Sequence, residues 1–207
     1  MSDAAHDRPA HHGSWKTFFA MIATSTVIMF FLMYQLIYIP AHFHFSMSRA
    51  LAALVSGCVM TIVMLGFMWK MYGPARTKWM VMTAAAIGAL ALLALNRTQA
   101  LVDDTAFMKA MIPHHSIAIN NSREAELSDP RVRKLADRII VAQVKEIAQM
   151  EMLLDLIEAN GEQGSNVPIA PASAALTPAL AAQAKAAIER DSIPVGDDGA
   201  DAVEYRP

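Results

Sequence analysis

The chain is nearly without cysteine. Cys58 is the only one in 207 residues, so no intrachain disulfide and no cysteine-based zinc or redox motif can be built. It falls in an apolar run and reads as a buried thiol. Net charge is almost absent as well: 17 Lys and Arg against 19 Asp and Glu leave a formal −2. That balance argues against a nucleic-acid partner, which calls for a basic field. The constellations of catalysis are missing too. No Glu is followed by His three positions on, the spacing that paired-helix di-iron oxidases need. Only His114 and His115 lie beyond residue 100, and no Ser-His-Asp or Cys-His nucleophile can be assembled. An enzyme is not expected.

Apolar residues are plentiful, at 55% of the chain, and they crowd into the first half, as in a membrane protein. Residues 1–14 form a polar tail carrying His6, His11 and His12. Thr17 to Ile39 is long enough to cross a bilayer, which takes about 20 residues, and no cleavage motif follows it. Ala50 to Trp69 reads as a second span, broken by Met71-Tyr72-Gly73-Pro74. Trp79 to Leu95 reads as a third, shorter one. The resulting three-span region covers 15–97. Arg8, Lys16, Lys70, Arg76 and Lys78 lie on one side of it, against Arg49 and Arg97 on the other. The positive-inside bias then puts the N-terminus in the cytoplasm and everything after Leu95 outside it, the expected setting being a bacterial inner membrane with a periplasmic domain. Met60, Met64, Met68 and Met71 make a stripe along the second span. Helix packing is the preferred reading of that stripe, ahead of a metal path leading from His42 and His44 in the outer loop.

After the spans, residues 103–160 read as a helical hairpin. Asp103 or Asp104 caps a first helix running to about Leu127, with Pro113 expected to kink it or restart it at the histidine pair. Asp129 caps a second helix that begins at Pro130 and stops near Asn160-Gly161. Leu135, Ile139, Glu146, Met150 and Leu153 fall on one side of it. At 100° per residue, Met108, Met111 and His115 lie within about 60° of each other, with His114 beside Met111. Methionine stripes are usually core filler; here thioether sulfur meets imidazole, a soft donor set that favours Cu(I) over Mg²⁺ or Ca²⁺. Counting outward from the turn sets His115 level with Gln143, Met111 near Glu146 and Met108 near Met150. Gln143 and Glu146 are then placed to orient the imidazoles, and Pro113 frees the Lys109 carbonyl as a further acceptor. Residues 161–207 read as linker and tail, with a short helix near 177–190 and acidic Asp197, Asp198, Asp201 and Glu204 at the end.

The segment from Phe107 to Ile119 (Phe-Met-x-x-Met-Ile-Pro-His-His-x-x-Ala-Ile) is followed by Asp129-Pro130, Leu135-Ala136, Ile139-Ile140, Gln143, Glu146-Ile147 and Met150. Together these resemble domain-of-unknown-function family 305, closely over 103–157. Asn121 stands where many members carry methionine. The resemblance implies an all-α, ferritin-like hairpin on a three-span anchor. It also implies extracytoplasmic copper binding, with Met108, Met111, His114, His115 and Met150 as candidate ligands. The expected function is a membrane-anchored copper-binding protein for buffering, resistance or delivery, self-associating through the hairpin, whose face of Ile117, Ala118, Ile140 and Ile147 is apolar enough to take a second copy. The alternative is an accessory or assembly subunit whose Met/His cluster only packs.

Overall fold

The computed structural model describes residues 14–164 and 169–192. His6, His11 and His12 at the start, and Asp197, Asp198, Asp201 and Glu204 at the end, lie outside the described residues. Among the described residues every regular element is helical: α1 (Trp15–Leu32), a 3-10 turn (Pro40–His42), α2 (Met47–Phe67), α3 (Ala75–Thr98), α4 (Asp104–Glu124), α5 (Pro130–Asn160) and α6 (Pro178–Asp191).

The first three helices have 18, 21 and 24 residues and are apolar enough to cross a membrane. At 1.5 Å per residue they span about 27 to 36 Å, which matches a hydrocarbon core. The first ends seven residues before the apolar run does. The chain turns off after Leu32, and Tyr34 is bent inward to tie the loop together. Its hydroxyl donates to the His44 carbonyl at 3.0 Å and accepts the Ser46 N–H at 3.0 Å, while the Arg49 guanidinium lies 4.3 Å over its ring. Phe43 packs on the same ring at 4.5 Å, so aromatic contacts hold the return from α1 to α2. The third helix is the longest of the three, not the shortest. It starts at Ala75 because Lys78 need not stay in water: its Nζ donates to the Trp69 carbonyl at 2.7 Å and sits 4.4 Å over the Trp69 ring.

Phe18, Ile22, Leu65 and Tyr72 form the core of this region, with Met60, Met64 and Met68 packed against it. The stripe therefore spaces helices through its first three members, and Met71 is exposed. Gly57 lets α1 approach closely, since a Cβ there would collide with the Thr26 side chain. Small residues at such crossings are the usual device where no hydrophobic effect drives helices together.

Beyond α3 the chain folds into the α4–α5 hairpin. Asp103 caps α4 by accepting the Ala106 N–H at 2.7 Å, and Asp129 caps α5 by accepting the Arg131 N–H at 2.9 Å. α4 runs through Pro113 as one helix rather than restarting at the histidines; Pro113 is buried and its neighbours hold the helix on both sides. The face that α5 buries is Ile140, Ile147, Met150, Leu154 and Ile157. Leu135, Ile139 and Leu153, expected inside, are exposed. The buried set steps by seven, three, four and three, so the apolar stripe lies about one residue round from the expected one. α6 lies against the start of α5, tied by an ion pair of Asp191 with Arg138.

Candidate metal centre

Met108 and Met150 are buried in the hairpin core with Ile112, Ile119 and Ile147, and Met111 packs on the same cluster. All three thioethers thus gather on the α4–α5 seam. His115 stands at its edge, with its side chain 12% exposed. Its Nδ1 lies 2.9 Å from the Met111 carbonyl and its Nε2 lies 2.8 Å from Glu146 Oε2. A carbonyl can only accept, so Nδ1 carries a proton. That fixes the ring and turns Nε2 toward α5.

The contact partner of His115 is Glu146, one turn along α5 from Gln143, which the count from the turn sets level with it. Side chains lean toward the N-terminus of their own helix. In an antiparallel pair the two leans converge: His115 reaches toward the level of Met111, and Glu146 reaches back. Gln143 is half-buried on that side of α5. The backbone acceptor for the ring is Met111, not Lys109. The residue at i−4 lies directly beneath a helical side chain, whereas Lys109 is six residues away. His114 is exposed; its ring centroid is 6.0 Å from that of His115, edge-on. Among the described residues no three His, Cys, Asp or Glu side chains converge as a metal site would require.

Sequence reasoning missed the role of Ser116. It is wholly buried, accepts the Tyr38 N–H at 2.7 Å and lies 2.9 Å from His42 Nδ1. Arg123 covers the Tyr38 ring at 5.1 Å. These contacts fasten the α1–α2 loop to α4, next to His115. The signal was a lone serine on the buried stripe of Ile112 and Ile119, one that needs a partner from outside its own helix.

A curated relative, the uncharacterized protein L153 of Acanthamoeba polyphaga mimivirus, is 46% identical over 61 residues. The match covers 28% of this chain and 40% of that protein, so the chain spans less than half the length of the relative it matches. No solved structure matches. The family model described as "Domain of unknown function (DUF305)" matches residues 70–186, from the turn after α2 through α3 and both hairpin helices and into α6, and the chain belongs to that family.

Proposed function

We propose that this is a membrane-anchored, extracytoplasmic copper-binding protein that buffers or delivers Cu(I) through the α4–α5 hairpin. The observation that carries the reading is the gathering of Met108, Met111 and Met150 on one seam with His115 at its edge. Thioether and imidazole suit Cu(I), and no carboxylate cage for a hard cation accompanies them. His115 has half the arrangement of a ligating histidine: Nδ1–H is held by a backbone oxygen, while Nε2 is engaged by Glu146 and must give up its proton before it can bind a metal. Copper at Nε2 would displace Glu146 from the ring and leave its negative charge beside the cation. His114, exposed beside it, is a second imidazole that a rotamer change brings into play. Gln143 would act on the ring side as a polar neighbour rather than a ligand. The chemistry is binding, with no bond made or broken in a substrate.

The exposed apolar residues of α5 opposite its buried face, among them Val141 and Leu156, favour pairing with a second copy into a ferritin-like four-helix arrangement. The face at Ile140 and Ile147 is already used within the hairpin. Three apolar helices support membrane anchoring, and the distribution of Lys and Arg supports an inner-membrane setting with the hairpin outside the cytoplasm.

The burial of Met108 and Met150 favours a second reading, an accessory subunit in which the cluster only packs. Competition with a chromogenic Cu(I) chelator separates the two. The Met108→Leu/Met111→Leu variant keeps volume and apolarity and should fold at a cost below about 1.5 kcal/mol. Copper binding predicts an affinity lowered by about tenfold or more, near 1.4 kcal/mol. Equal affinities would support packing.

A further inference from the structure

α6 covers the start of α5 without filling the space beneath it. Its Ala184 and Ala187 face α5 across a cleft of about 410 Å³, whose larger walls are Val132, Leu135 and Ile188. These three side chains remain exposed. Apolar walls that stay wet gain free energy when an apolar body displaces the water between them. Pockets for small ligands run from about 300 to 1,000 Å³, so the volume suits one. No wall of the cleft comes from α4, and the seam of His115 and Glu146 lies elsewhere on the hairpin.

One end of the cleft is charged. Arg138 and Asp191 line it and form an ion pair, so the protein already seats one carboxylate there, and that carboxylate is buried. Cations outnumber it. Arg190 Nε lies 3.6 Å from Asp191 Oδ1. Lys134 Nζ reaches the Asp191 backbone oxygen at 3.4 Å, and among the described residues it pairs with no carboxylate. The neighbouring Asp137 is taken by Arg133 at 2.9 Å. At the other end Arg131 is already matched by Asp129 at 2.6 Å, so the surplus of positive charge is confined to the Asp191 end.

We propose that this cleft binds an amphipathic carboxylate, a free fatty acid of medium chain length. Its carboxylate takes the Arg138 guanidinium, whose planar fork matches two oxygens, with Lys134 beside it. Its chain runs between Val132, Leu135 and Ile188. Asp191 holds the place of the ligand in the free protein. When the ligand takes Arg138, Asp191 keeps Arg190 as its partner, so no buried carboxylate is left unpaired. The ligand comes from the aqueous phase: the cleft lies at the turn end of the hairpin, and α4, with 21 residues, sets that end about 30 Å along the helix from where the chain leaves α3. The site stands whether or not the hairpin seam binds copper.

The test uses the full chain in nanodiscs of zwitterionic lipid, with the methyl groups of Val132, Leu135 and Ile188 followed by NMR as octanoate is added. Those methyls report the cleft itself, whatever share of the octanoate enters the bilayer. Saturable shifts are expected at all three. Acetate carries the charge without the chain, and octanamide the chain without the charge; each should bind about tenfold more weakly or worse. Two substitutions in one ion pair separate an anchor from a scaffold. Arg138→Gln should weaken octanoate by about tenfold or more, and Asp191→Asn should tighten it by removing the competing carboxylate. Losses in both variants would mean that the pair only seats α6, and would overturn the site. Shifts that never saturate, or equal affinities for octanoate and octanamide, would overturn it too.

Discussion

Two sets of methionines line helix seams of this chain, one along α2 and one shared by α4 and α5. Met60, Met64 and Met68 on α2 pack against Phe18, Leu65 and Tyr72; Met108, Met111 and Met150 pack against Ile112, Ile119 and Ile147. Met108 and Met150 are buried where Met60, Met64 and Met68 are half-buried, yet both sets fill irregular space as flexible thioethers do. The difference lies at the edge of each cluster. Aromatic rings surround the first set. The second borders an oriented imidazole with a carboxylate on its far side. A methionine stripe becomes a candidate binding site through the nitrogen and oxygen atoms beside it, and those cannot be counted from the stripe.

Four changes break or sharpen this contrast. The largest effect is expected at Ile112, wholly buried at the centre of the hairpin cluster. Ile112→Ala leaves a cavity and should destabilise the hairpin by about 2–5 kcal/mol. Denaturant unfolding followed by helicity measures it, and a change within error would mean the seam is not the core. Next comes the methionine pair Met108→Leu/Met111→Leu, with its tenfold loss of Cu(I) affinity. Its mirror is Met60→Leu/Met64→Leu/Met68→Leu in α2, which should leave copper affinity unchanged and stability altered by less than about 1.5 kcal/mol per site. A loss of copper there would dissolve the distinction between the two regions.

The smallest effect concerns acid. Asp129 is held down to about 2 by the hydrogen bonds and charge of Arg131, and Asp103 is lowered by the Ala106 N–H and Thr105. Both carboxylates accept these hydrogen bonds more strongly when ionised than when protonated. A depressed carboxylate contributes stability that is fully present above its unfolded value near 3.8 and is lost as pH falls toward about 2. Circular dichroism on acidification should show the hairpin helices weakening in that window. Asp129→Asn, which still caps, should flatten part of the response.

The helical plan was legible because its signals are local. Three apolar runs, two aspartate caps, Pro130 at a helix start and Gly161 after a helix end all speak through a few neighbouring residues. What was not legible depended on distant partners. α1 stops at Leu32 because Tyr34 is claimed by His44, Ser46 and Arg49, which follow it by ten or more positions. α3 begins early because Lys78 finds Trp69. On α5 the stripe of Leu135, Ile139 and Leu153 and that of Ile140, Ile147 and Leu154 are both apolar; only the fit against α4 selects the second. At the candidate site, the proximity of Met111, His115 and Glu146 could be read from helix periodicity and the turn. The Met111 carbonyl as ring acceptor needed a rotamer, and the role of Ser116 needed a loop some 75 residues earlier in the chain.

The central claim is that the hairpin thioethers are donors as well as filler. The most direct measurement is X-ray absorption at the copper edge on the full chain, loaded with one equivalent of Cu(I). The account predicts sulfur and nitrogen together in the copper sphere, from Met108, Met111 or Met150 and His115. A sphere of nitrogen and oxygen only would contradict it.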